Sequence, residues 1–130
     1  MGFLNTLFGS GKPSTTNEKE LPFIPLNENE QLQDIVSKSK TKPQLIYKHS
    51  TRCGLSRMVL NQFKETYTID DDTVDLYYLD VLDHRDVSNE VAIKFQFIQE
   101  SPQLLVIKDE SVTVHASHGR ILETDLKNFL

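Results

Sequence analysis

The stretch QLIYKHSTRCGLSRMVLNQFKETY, residues 44–67, decides the fold. Its first letters, Gln44 to Lys48, are a short apolar run that reads as a strand. From Leu55 the period changes. Leu55, Met58, Val59, Leu60, Phe63 and Tyr67 recur at the spacing of one helix face. A turn, His49-Ser50-Thr51-Arg52, joins the two and leads into Cys53 and Gly54. The thiol therefore sits at the opening of a helix, where the first N–H groups lack intrahelical partners and the dipole adds partial positive charge.

Outward from this unit the elements alternate. Upstream, Leu32, Ile35 and Val36 are spaced for a helix that fades in the polar run Ser37 to Lys42. Downstream, Val74 to Leu79 is a β-rich run. Val87, Val91, Ala92, Phe95 and Phe97 predict a helix that ends before Glu100-Ser101-Pro102. Leu104 to Lys108 and Val112 to Ala116 are two strands joined at Asp109-Glu110 as a hairpin. Ile121, Leu122, Leu126, Phe129 and Leu130 predict a closing helix. Alternating βαβ units followed by a hairpin and a last helix imply an α/β domain with a mixed four-stranded sheet and helices on both faces. This is a thioredoxin-like order, although ferredoxin-like and other small α/β folds come close.

Residues 1–20 read as a separate segment, a short helix or flexible tail plus linker, with the globular domain over 21–130. Phe3, Leu4, Leu7 and Phe8 are at helix-like spacing, Gly9 to Asn17 (GSGKPSTTN) has linker composition, and Pro22 and Pro25 suggest an extended entry. GSGKPS is not a phosphate loop: Thr6 stands where the first Gly is required, and Pro13 replaces the Ser or Thr after the Lys. The opening MGFLNT fits the loose N-myristoylation pattern, which arises readily by chance.

Composition narrows the function. The 130 residues suit one domain, and the formal net charge of -5 argues against nucleic acid as a partner. No apolar run approaches the roughly 18 residues of a membrane span, and the opening carries no secretory pattern, so no membrane association is expected and the cytoplasm is the expected compartment. A single cysteine excludes an internal disulfide, a Cys-only zinc site and a Cys-x-x-Cys pair. The four His residues are too scattered for one metal site, and the Asp70-Asp71-Asp72 run lacks calcium-loop spacing, so no metal site is expected.

Chemistry therefore falls to Cys53. Arg52 beside it, with Lys48, His49 and Arg57 close in sequence, adds positive charge that favours a thiolate, the reactive form of the residue. Ser56 occupies the place of a second cysteine; a hydroxyl can hydrogen-bond a thiolate but cannot resolve a mixed disulfide. A resolving thiol must then come from another molecule. Ser101-Pro102 opens a strand, one of the few places in a sheet that tolerates proline, and X-Pro is nearly the sole setting for a cis bond. His115, Ser117, His118, Gly119 and Arg120 mark a polar turn after the hairpin.

HSTRCGLS (49–56), HRDVSNEVAIKF (84–95) and ESPQLLVIKDESVTVHASHGRI (100–121) together resemble the monothiol bacilliredoxins, the YtxJ-type proteins of bacillithiol-using bacteria. The similarity runs from about residue 25 to 130, and the opening MGFLNTLFG is also similar. The resemblance implies a thioredoxin-like fold and removal of bacillithiol from S-bacillithiolated proteins. Cys53 would be the nucleophile and Ser101-Pro102 a substrate-facing cis-Pro unit. Thr51, Arg52, Gly54, Ser56, His118 and Arg120 would complete the substrate and thiol-binding set, with Arg52, His118 or Arg120 suited to the malate carboxylates of bacillithiol. Bacillithiol would act as co-substrate with no bound cofactor, and either free bacillithiol or a reductase cysteine would resolve the adduct. Gly54 is a weak helix former directly after the nucleophile. Two other readings stand beside this one. Cys-Gly-Leu-Ser resembles the Cys-Gly-x-Ser of monothiol glutaredoxins that carry a [2Fe–2S] cluster, which a brown chromophore on anaerobic purification would reveal. A non-catalytic binding module of the same fold would show no thiol exchange.

Overall fold

The computed structural model describes residues 20–130. The helix or tail expected over 1–20 lies, Glu20 apart, outside the described residues. The elements run β1 (Ile24–Pro25), α1 (Glu30–Lys38), β2 (Gln44–His49), α2 (Gly54–Thr66), β3 (Asp75–Asp80), α3 (Arg85–Phe95), β4 (Gln103–Lys108) and β5 (Ser111–Ser117), followed by two 3-10 helices, His118–Glu123 and Leu126–Phe129.

One sheet contains all five strands in the order β1-β3-β2-β4-β5. β3 is parallel to β1 and β2, whereas β4 is antiparallel to β2 and β5. The expected four strands are thus corrected to five. β1 is only two residues long and contains Pro25, so it carries no alternation to read, and proline is tolerated at this sheet edge. Its pairing is continued by the Leu26 amide, which donates to the Tyr78 carbonyl at 2.9 Å.

The period of two in β2 divides the core. Leu45 and Tyr47 face a layer with Val59, Leu60 and Phe63 of α2 and with Ile121. Ile46 faces the opposite layer with Ile35 of α1 and Val87 and Val91 of α3. Central strand β2 is buried at every position, as expected for a strand covered on both faces. At the far end of the sheet, Asp109 (φ 52°) and Glu110 (φ 70°) make the left-handed two-residue hairpin turn. Ser39 holds that turn from below: its carbonyl accepts from the Asp109 amide at 2.8 Å and its hydroxyl from the Glu110 amide at 2.9 Å.

Two helix expectations are corrected. α3 stops at Phe95 because Gln96 adopts a left-handed conformation (φ 61°), releasing Phe97 and Ile98 to the segment that leads into β4. The closing helix is instead two short 3-10 helices. Thr124 and Asp125 are extended and divide them, while Ile121 still reaches the core, so the apolar spacing survives without a continuous helix.

Candidate active site

The sheet topology gathers the chemistry at one end. β2 ends at His49 and β3 at Asp80, β4 begins at Gln103, and Ser117 at the end of β5 pairs with Gln103. The Cys53 turn, the Ser101-Pro102 dipeptide and the His118–Arg120 turn all leave the sheet at this end, and α2 packs on the His118–Glu123 3-10 helix.

Cys53 is the N-cap of α2. Its backbone is extended (φ -102°, ψ 121°), its side chain makes no capping hydrogen bond, and it is partly exposed. The Cys53 amide donates to the Ser50 carbonyl at 3.3 Å, and the Arg57 amide donates to the Cys53 carbonyl at 3.1 Å, which closes the first turn. Arg57 also reaches back with Nη1 to the Thr51 carbonyl at 3.1 Å, clamping the turn that presents the sulfur. Arg57, expected from the sequence only as positive charge near Cys53, follows it by one helical turn and so reaches back over the turn. Thr51, Arg52 and Gly54 are exposed around the thiol. A Cβ placed on Gly54 would meet nothing nearer than the Arg57 Nη2 at 3.9 Å, so no steric demand fixes a glycine there.

Ser56 has a different setting from the one expected for a thiolate partner. It is fully buried, and its hydroxyl accepts from the Ser50 amide at 3.1 Å and pairs with His49 Nδ1 at 2.9 Å. Burial pushes the His49 imidazole below its ordinary value; Asp80 opposes the shift, and Lys64 and Arg57 add to it. The Ser56 hydroxyl and Nδ1 share one hydrogen bond, whose donor is set by the imidazole tautomer. One side chain thereby ties the turn to both the strand before it and the helix after it.

Lys48 does not join the basic group around Cys53. Alternation along β2 sends it to the other face, where it is fully buried and its ammonium donates to the Ser88 carbonyl (3.1 Å), the Ser88 hydroxyl (3.1 Å) and Gln99 Oε1 (2.7 Å). Burial lowers its pKa to about 8. The alternation of a central strand was the signal that separates Lys48 from His49.

The Ser101-Pro102 bond is cis. The Pro102 carbonyl accepts from the His118 amide at 2.9 Å, and His118 itself has a left-handed backbone (φ 58°). His118 and Arg120 line an open groove of about 490 Å³ together with Glu100, Ser117 and Glu123. Ser117 donates its hydroxyl to Glu100, which occupies part of that carboxylate. Among the described residues no helix is long and apolar enough to cross a membrane.

Comparison with known proteins bears on the family and the fold. The family model for the monothiol bacilliredoxin BrxC matches residues 24–126. A solved protein described as having a thioredoxin fold is 28% identical and superposes with a TM-score of 0.64, covering 75% of this chain and 84% of its own. Thioredoxin from Malassezia sympodialis (18% identity, TM-score 0.65, 85% of this chain and 92% of that one) and from Schistosoma mansoni (22%, 0.62, 83% and 95%) share the fold. The domain has the thioredoxin fold.

Proposed function

Since the chain belongs to the monothiol bacilliredoxin family, we propose that it removes bacillithiol from S-bacillithiolated proteins through a mixed disulfide on Cys53. Family and fold together support thiol–disulfide oxidoreductase chemistry in general. The observation that carries the finer reading is the pairing of one partly exposed thiol at a helix start with a buried, fully engaged Ser56 three residues later. Such a site can accept an adduct and has no internal group to expel it.

The exchange runs in two steps. The Cys53 thiolate attacks the bacillithiol sulfur of the mixed disulfide; that S–S bond breaks, its electron pair leaves on the protein sulfur, and the freed thiolate takes a proton from solvent. A second thiol, from free bacillithiol or a reductase cysteine, then attacks the Cys53 adduct and departs as the new disulfide, returning Cys53 as a thiolate. Electrons and atoms balance with thiols alone, so bacillithiol serves as co-substrate and the steps require no bound cofactor. Arg52 is exposed beside the thiol, and Arg57 holds the turn that presents it. Arg120 and His118 suit the malate carboxylates of bacillithiol, while exposed Leu55 and Met58 beside the thiol offer apolar contact to a protein substrate. A reducing cytoplasm, where such thiol pools are kept, is the compartment this reaction suits.

Intact-mass measurement tests the reading. Incubation with an S-bacillithiolated protein should move one bacillithiol mass onto Cys53, and free bacillithiol should remove it. No adduct, or one that forms equally on Cys53→Ser, would overturn it.

A further inference from the structure

A buried ammonium with neutral partners is an expensive choice. Lys48 is fully excluded from water, and among the described residues neither ion pair involves it: those join Lys40 to Glu110 and Lys42 to Asp75. Removing a charge from water without a counter-ion opposes folding, and apolar groups of similar volume often stabilise such positions. What the ammonium holds therefore matters more than its contribution to stability.

Its three protons reach α3 and the segment that enters β4. Two go to the Ser88 carbonyl and hydroxyl, and one to Gln99 Oε1, which also accepts from the Ser88 hydroxyl at 2.6 Å. Gln99 stands two residues ahead of Ser101. The same segment is also held from β4 and β5: Gln103 Nε2 donates to the Ile98 carbonyl at 2.9 Å, and Phe97 stacks on His115 at 4.4 Å between ring centroids. Lys48 is the anchor from central strand β2.

We propose that Lys48 is a positioning residue for thiol exchange, holding the segment 97–102 through Gln99 so that the Ser101 backbone forms the substrate-side wall of the Cys53 site. The inference rests on the function proposed above for the nature of the substrate, but the hold itself is a property of the fold. A long substrate that lies along this wall feels its position, whereas a small disulfide needs the Cys53 sulfur alone. The depressed ammonium pKa, caused by burial, agrees with a charge kept where solvent cannot support it.

The test is Lys48→Met in the full chain, which keeps an unbranched side chain and removes the charge. Thermal midpoint, hydrogen exchange and two Cys53 reaction rates are measured, one with a peptide mixed disulfide and one with a small aromatic disulfide. The expected result is a midpoint equal to or above wild type and faster exchange of the 99–101 amides. The peptide rate should fall by about tenfold or more, as displaced reacting groups entail, while the small-disulfide rate holds within about twofold. Gln99→Met cuts the same link from the other end and should reproduce the selective loss, which keeps the question open to measurement if Lys48→Met folds poorly. Unchanged exchange at 99–101, or equal loss of both rates, overturns the proposal. If wild type forms no bacillithiol adduct, the functional reading fails, and the amide exchange and peptide rates still decide the role of Lys48.

Discussion

Replacing Ser56 with Ala should destabilise the domain well beyond what the loss of one oxygen suggests. The hydroxyl lies at 0% exposure and accepts the amide of Ser50, a residue only 8% exposed. Without it that N–H has no acceptor and little access to water, a condition that costs about 1–3 kcal/mol. His49 Nδ1 loses its 2.9 Å partner in the same step. A total near 2 kcal/mol follows, and for a domain of this size that is a fall of roughly 8 °C in midpoint. Urea unfolding at pH 7 with wild type and Ser56→Ala side by side measures it, with an unchanged m-value showing that the native and denatured states keep their compactness. A loss below about 0.5 kcal/mol, the level of an ordinary surface substitution, would refute the claim that Ser56 pins the turn.

Cys53→Ser should abolish bacillithiol transfer while shifting stability by less than about 0.5 kcal/mol, because the thiol is partly exposed and makes no capping bond; a core-sized loss in calorimetry would contradict this. Gly54→Ala should raise stability by about 0.5 kcal/mol, since the new methyl meets only ordinary contact and the unfolded chain loses freedom. A fall in the denaturation midpoint would show that the glycine is needed. Arg120→Ala should raise KM for bacillithiolated substrate by about tenfold with little change in kcat, as loss of a charge-assisted contact does; an unchanged KM removes Arg120 from the binding set. His49 should make stability fall as the pH drops below about 6.5. Its folded pKa is depressed by burial, so below the unfolded value of about 6.5 the unfolded chain binds the extra proton, and stability declines as pH drops toward the folded pKa. His49→Gln should flatten that slope in urea titrations, and an unchanged slope would place its origin elsewhere.

Residues 44–67 make plain why the sequence was legible where it was. A buried strand and an amphipathic helix have different periods, and the change at Cys53 marks their junction without reference to anything distant. The same local logic found the hairpin at Asp109-Glu110 and the strand start after Pro102. It failed where tertiary pairing decides. β1 exists because two residues find the free edge of β3, and the last helix breaks into 3-10 turns although its apolar spacing is helical. In the site, sequence proximity grouped Lys48 with His49 and Arg57 as one basic cluster. Pleat geometry separates them, and no residue type announces it. Ser56 was read as a missing thiol, and its bonds to Ser50 and His49 appear only once α2 is docked on β2.

Neighbouring residues at the end of β2 thus brace the two halves of the site from opposite faces of one strand. His49 points to α2 and, through Ser56, fixes the turn that carries the nucleophile. Lys48 points to α3 and, through Gln99, holds the segment that leads into Ser101-Pro102. Both anchors belong to one strand, paired with β3 over Gln44–His49 and with β4 over Gln44–Lys48, so the sheet sets where the Cys53 turn and the segment entering β4 are held. A one-residue slip of β2 would send both side chains to the opposite faces and take each from the partners it now has. The imidazole cannot fill the place of the ammonium: when neutral it has one proton for the three acceptors that Lys48 serves. The different partners of the two side chains therefore add to the apolar alternation of Leu45, Ile46 and Tyr47 in specifying the register of the strand.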